Sequence, residues 1–247
     1  MKKHNSFTYM NMKKCILSLS LLLAAAYATA QQPTRYEIDV KEFSELKVVD
    51  GINVDYKCVP DSAGKAVFYS TPDVASTVMF VPNKNKLEIQ LATDDKKRTN
   101  LPKITVYSTY LTFIENAGDS TVRVLNVAQG PKFKARQIGN GRLVVRYVEA
   151  TQVEASIDTG NGNVIVYGKC ERAKLSCTGT GHIQADELVA DETKCSLWGT
   201  GSIGCNATTT LSVNGAGSGQ VLYSGTPNIK NRSIGVKINP LAENKAQ

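Results

Sequence analysis

Catalysis in this chain would have to come from very few residues. Past residue 30 there is a single histidine, His182, so any Ser-His-Asp or Cys-His arrangement would have to use it. It stands between Gly181 and Ile183, a position that reads as an exposed turn. Glycosidase-type chemistry needs two carboxylates placed on either side of a sugar bond. Asp94-Asp95 sit in a Lys/Arg-rich run ending at Arg98, the composition of a solvated hairpin turn. Asp186-Glu187 and Asp191-Glu192 bracket Leu188-Val189-Ala190, as polar corners do. Asp158, two residues before Gly160, is expected to point inward, where a hydrogen-bonded structural acid is a simpler reading than a general acid. Cys58, Cys170, Cys177, Cys195 and Cys205 contain no Cys-x-x-Cys pair, and no histidine lies nearby at zinc-ligand spacing. Buried thiols acting as small hydrophobes are their default role. The run Gly215 to Gly219 leads into a strand rather than a helix, which removes it as a phosphate cradle. No catalytic residue, metal or cofactor is therefore expected. A carbohydrate-active enzyme centred on Asp158 or on Asp186 and Glu187 is the alternative.

Surface recognition is what remains. Thr121, Arg142, Asn163, His182, Ser202 and Gln220 recur in phase and should form a polar ladder on one face. Trp198, the only tryptophan, precedes Gly199 and points outward by phase. An indole ring of that kind can stack on a sugar or anchor a partner. The expected ligand is a glycan or a cell-surface protein, held by Trp198, Arg142, Asn163, His182, Ser202 and Gln220. A purely structural envelope component that oligomerises through the solenoid is a further alternative.

The element that must position these residues is a repeat. Gly118, Gly139, Gly160, Gly179, Gly199 and Gly217 are spaced 21, 21, 19, 20 and 18 residues apart. Four residues after each comes Val122, Leu143, Val164, Ile183, Ile203 or Val221; six after comes Val124, Val145, Val166, Ala185, Cys205 or Tyr223. Period-two alternation is strand behaviour. A helical solenoid fails because two glycines per repeat would each cost about 1 kcal/mol relative to Ala. The reading is all-β: a right-handed parallel β-helix, a solenoid of about 20 residues per rung, with handedness taken from the bias of parallel crossovers. Gly51, Gly139, Gly141, Gly160, Gly162, Gly179, Gly181, Gly199, Gly201, Gly217 and Gly219 are the structural turns, expected where the chain needs positive φ or close backbone approach.

Residues 31–113 are less regular. Strand-like runs at 47–49, 54–56, 66–69, 87–91 and 104–107 predict either an antiparallel layer or the first solenoid turns, serving as a cap. Residues 114–240 are the repeat, continuous with that region. Thr226-Pro227-Asn228 is expected to break the last rung, and 241–247 to be a flexible tail. Residues 1–30 read as a signal peptide: a basic start, the apolar run Ile16 to Ala28, and Ala28-Thr29-Ala30 for cleavage. The expected location is the periplasm, the outer surface or the medium. The formal charge of +7 loses four lysines with the leader and falls to about +3. No basic stripe with aromatics appears, so a nucleic-acid partner is excluded, and no later segment is apolar enough to span a membrane.

Phe43-x-x-Leu46, followed by Val49-Asp50-Gly51-Ile52-Asn53-Val54, resembles the opening signature of the head GIN domain, an auto-transporter adhesin family common in Bacteroidota. The Gly-Thr-Gly and Gly-Ser-Gly turns and the closing Tyr223-Ser224-Gly225-Thr226-Pro227 are similar to that family's pattern. The resemblance spans about residues 37 to 240. It implies a right-handed β-helical fold and an adhesin role, and supplies no catalytic motif. The cysteines of the later rungs depart from it.

Overall fold

The structure, a computed structural model, describes residues 32–92 and 100–241. The expected leader, the Asp94–Arg98 turn and the tail past Leu241 lie outside the described residues.

Burial along the chain shows how one rung is built. In the strand His182–Gly199, buried side chains occur at Ile183, Ala185, Leu188, Ala190, Thr193, Cys195 and Leu197. Alternation with period two is a strand lying against a core. The steps of three, from Ala185 to Leu188 and from Ala190 to Thr193, mark bends. Each rung therefore has a lead wall after a glycine corner, a short connecting side, and a return wall running to the next glycine corner. Parallel pairing at about 4.8 Å per rung then stacks like on like.

The strands are β1 (Thr34–Asp39), β2 (Glu45–Val49), β3 (Val54–Cys58), β4 (Lys65–Ser70), β5 (Val78–Asn83), β6 (Lys86–Leu91), β7 (Ile104–Ser108), β8 (Phe113–Ala117), β9 (Thr121–Val124) and β10 (Gly130–Ile138). There follow β11 (Arg142–Thr159), β12 (Asn163–Gly179), β13 (His182–Gly199), β14 (Ser202–Ala216), β15 (Gln220–Ser224), β16 (Asn228–Ile234) and β17 (Lys237–Pro240). Strands β11 to β14 each bend and so contribute to both walls. The predicted inward column holds: Val54, Val122, Leu143, Val164, Ile183, Ile203 and Val221 stack in register and are all buried. Burying one such side chain contributes about 1.5–3 kcal/mol, which a single rung could not collect alone.

Both readings of the N-terminal region are realised together. Strands β6 and β7, then β2 and β3, are solenoid rungs, paired in parallel with each other and with β8 and β9. Strand β5 runs antiparallel on β6, β4 antiparallel on β7, and β1 antiparallel on β4. These antiparallel strands cover the end of the stack, and Tyr36, Phe68 and Phe80 pack there with ring centroids 5.3 and 6.1 Å apart. The order in space differs from the order in sequence. The β2–β3 rung lies between the β6–β7 rung and the β8–β9 rung.

Three expectations need correction. Asp158 does not point inward. Gln137 pairs with Ile157 but Ile138 pairs with Thr159, so Asp158 is a bulged extra residue and its side chain faces out. Thr226-Pro227-Asn228 does not end the solenoid. It forms a corner, after which β16 and β17 add another rung on β14 and β15. Gly51 has neither positive φ nor a close neighbour, because Asp50 takes the left-handed conformation there (φ 66°). In the paired glycine corners the two members have different jobs. Gly199 and Gly217 need both positive φ and space against the carbonyl of the previous rung, whereas Gly201 and Gly219 need the space alone.

Candidate functional site

The predicted ladder exists. Thr121, Arg142, Asn163, His182, Ser202 and Gln220 pair rung to rung along the outer surface of the lead wall, and Lys237 extends the column. Arg142, His182 and Gln220 are exposed; Asn163 and Ser202 are half-buried. His182 Nδ1 and Ser202 Oγ lie 2.8 Å apart. No carboxylate orients the imidazole in the hydrogen bonds and ion pairs of the described residues, so the pair lacks the third member of a triad. Asn163 Oδ1 is buried with no hydrogen-bond partner. An unpaired buried acceptor costs free energy, and this one sits mid-ladder.

A second column, two residues along each strand, was not legible in the sequence. Arg123, Val144, Ile165 and Gln184 pair in register on the same outer surface. Val144 and Ile165 point away from the core, yet they are only 7% and 5% exposed. At the bend beyond them, Arg146 lies over the Tyr167 ring, 5.5 Å from its centroid. Tyr147 is 71% exposed and has φ +56°, a conformation that costs an aromatic residue free energy. The cause is a register break: Val145 pairs with Val166 and Val148 with Gly168, so Arg146 and Tyr147 stand opposite Tyr167 alone. Gly168 must be glycine there, since a Cβ would lie 2.0 Å from Val148 O. A sequence signal existed: Val148 stands nine residues after Gly139 but Gly168 only eight after Gly160, a one-residue excess beside an Arg-Tyr pair.

The lead wall thus presents polar donors and acceptors, two tyrosines and two guanidiniums, with Val144 and Ile165 covered beneath them. Neither Arg142 nor Arg146 has a carboxylate partner among the described residues, unlike Arg123, which holds Asp55 at 2.7 and 3.0 Å. Such a surface can hydrogen-bond hydroxyls, cover the apolar face of a ring, and pair with carboxylate or sulfate.

Trp198 is exposed (52%) but belongs to the return wall, paired with Thr178 and Ala216. The Gly199–Gly201 corner separates it from the ladder, so the two predicted groups do not form one surface. Asp158 is engaged by Arg136, whose Nε donates to it at 2.6 Å, and Glu115 accepts from the same guanidinium at 3.2 Å. Asp186, Glu187, Asp191 and Glu192 fall at the two bends of their rung and are not buried. Among the carboxylates, burial pushes Glu154 up, but hydrogen bonds and charge from Lys132, Gln152 and Lys174 outweigh it and hold its pKa below the usual range. Elsewhere, an open groove of about 430 Å³ on the return wall is lined by Glu45, Tyr110, Phe113, Lys132 and Lys134. An apolar one of about 380 Å³ lies in the cap beside Tyr36, Phe68 and Phe80. No group of acidic, His and Cys side chains among the described residues is placed to hold a metal, and no helix there is long and apolar enough to cross a membrane.

Residues 42–227 match the family model described as putative auto-transporter adhesin, head GIN domain. Among solved structures, a putative adhesin from Bacteroides fragilis is similar at 23% identity and TM-score 0.79, over 86% of this chain and 98% of that one. A protein from Parabacteroides distasonis described as a putative lipid binding protein is similar at 20% identity and TM-score 0.69, with the same coverage. A putative adhesin from Parabacteroides merdae is similar at 16% identity and TM-score 0.65, again over 86% and 98%. Nothing among curated proteins matches the chain.

Proposed function

We propose, since the chain belongs to the head GIN domain family of putative auto-transporter adhesins, that it is an exported, non-enzymatic binding protein that holds a glycan along its lead wall. It works in the periplasm, on the outer surface or in the medium, without a cofactor. The ladder Arg142, Asn163, His182, Ser202 and Gln220 supplies hydrogen bonds, and Tyr147 and Tyr167 supply ring contacts. Repetition at rung spacing favours an extended ligand met by many shallow contacts. The observation that carries this reading is Tyr147, an exposed aromatic residue held in a strained conformation next to Arg146, which has no carboxylate partner among the described residues. Backbone strain of this kind persists where function selects it.

The test is a glycan-array screen of the secreted protein beside Tyr147→Ala, Arg142→Ala and Trp198→Ala variants. Selective binding that falls about tenfold or more in the first two, and little in the third, supports the lead wall. Binding lost only with Trp198 moves the site to the return wall. No binding by folded protein sinks the glycan reading.

A structural envelope role has one observation in its favour. Among the described residues, β16 and β17 pair on one side only and expose Ile229 and Ile234. Lys230, Arg232 and Lys237 on that edge oppose the docking of two like copies.

A further inference from the structure

The five cysteines of the described residues are all thiols in this structure. Cys58 Sγ donates to Thr109 O at 3.1 Å, and Cys177 Sγ donates to Gly181 O at 3.3 Å. Cys177 and Cys195 are diagonal, because Cys177 pairs with Leu197 and Cys195 with Leu175. They lie on the same wall. The relation of Cys195 to Cys205 is different.

The corner Gly199-Thr200-Gly201 joins the return wall of one rung to the lead wall of the next. Residues equally far from Thr200 on either side face each other across the core. Leu197 and Ile203 do so, and the next such inward pair is Cys195 and Cys205, 1% and 0% exposed. Neighbouring rungs repeat the relation in register: Leu175 faces Ala185 about Thr180, and Val213 faces Tyr223 about Ser218. Each of those layers is filled by one side chain from each wall. In the intervening layer both walls supply a thiol, and the two are close enough to interact.

We propose that Cys195 and Cys205 form a disulfide that ties the two walls together through the core. The oxidant is an external disulfide, either a protein dithiol oxidase of the exported compartment or oxidised glutathione. One cysteine, as thiolate, attacks a sulfur of that disulfide and expels one thiol. The second cysteine, giving up its proton, attacks the mixed disulfide and expels the other. Two electrons pass to the oxidant, which leaves as two thiols. Both sulfurs are sealed once the rungs stack, so the bond closes while the chain folds. The neighbouring Cys205 thiol and burial also raise the Cys195 thiol pKa, which slows oxidation of the finished fold.

Export matters here only for the supply of oxidant, so two samples separate the ideas. One is the full chain exported from a bacterial host; the other is the same chain made reduced in the cytoplasm and refolded with oxidised and reduced glutathione. Each is denatured without reductant, treated with iodoacetamide and digested with trypsin. No Lys or Arg lies between Cys195 and Lys230, so one peptide carries both sulfurs. The expected result is that peptide lighter by two hydrogens and unalkylated, with Cys58, Cys170 and Cys177 alkylated. Reduction should then make unfolding about 100-fold more favourable, the effect of opening a loop of this length. A bond in the refolded sample alone keeps the pairing and removes the export reading. Alkylation of both residues in both samples, or a Cys177–Cys195 bond, overturns the proposal. A Cys205→Ala variant keeps the outcome readable, since Cys195 must then become alkylated.

Discussion

The head of the molecule and its repeat are built on the same rung but held by different means. From β11 to β14, partners lie about one rung apart in sequence, and small residues and a glycine corner suffice. Asn161 N–H donates to Asn140 Oδ1 at 3.0 Å across a separation of 21 residues. At the head the corresponding bonds span 68 residues: Thr121 N–H donates to Asn53 Oδ1 at 2.9 Å, and Arg123 grips Asp55. A rung that arrives from so far away needs specific side chains to fix its register, because closing the longer loop costs more entropy. The Gly51-Ile52-Asn53 signature is therefore a clamp. Asn53 O accepts from Ile104 on one side and its side chain accepts from Thr121 on the other, while Asp50 Oδ2 accepts from Leu91 N–H at 2.9 Å. Ile52 fills the core between them.

That contrast can be broken most severely at Gly118, where a Cβ would lie 1.8 Å from Asp50 O. Gly118→Val should cost more than about 4 kcal/mol and separate head from repeat, read as loss of the cooperative thermal transition. Asp55→Ala leaves Arg123 and Lys103 without their shared carboxylate. A loss of about 3 kcal/mol is expected, with limited proteolysis cutting first between residues 59 and 103. Asn53→Ala strips Thr121 N–H of its acceptor and should cost about 1–2 kcal/mol in urea unfolding. Tyr147→Gly should act in the opposite sense, raising stability by about 1 kcal/mol as it releases the positive φ, while glycan binding falls. A smaller effect is expected with pH. Burial pushes the Cys170 and Cys177 thiols up to about 11. A raised folded pKa gives stability that is complete below the unfolded value near 9 and lost as pH rises through 11. Melting curves of the wild type against Cys170→Ala/Cys177→Ala between pH 8 and 11 should show the difference in the repeat.

The repeat was legible because its signal is local and redundant: every rung restates the glycine corner and the two inward positions. Single-residue insertions defeated that reading. Asp158 was placed on the wrong face because counting back from Gly160 crosses a bulge. The last rung was missed because Pro227 looks like a stop, although Gly235, with a Cβ position 2.6 Å from Gly217 O, repeats the corner 18 residues on. Inward positions at the junction also break the apolar rule. Asn116 and Gln137 are fully buried in a column of aliphatics, where Asn116 Nδ2 donates to Gln137 Oε1 at 2.9 Å and Gln137 Nε2 donates to Gly118 O at 3.2 Å. They satisfy backbone at the corner that joins head to repeat. On the candidate site, the ladder was readable as a phase. Tyr147 was not, because only the register break turns that side chain outward.

The placement of the β2–β3 rung between two rungs that follow it in sequence has a consequence for how the molecule grows. The first rung made has both faces open, and the chain builds from it in two directions. On one face β6 and β7 add a parallel rung, which β1, β4 and β5 then close for good as antiparallel strands. Residues from Phe113 onward can only extend the other. Lengthening or shortening by whole rungs is thus confined to the C-terminal side, where a duplication near residue 200 meets the same corner, the same spacing and the same core. An insertion of equal length before residue 108 would displace the lid.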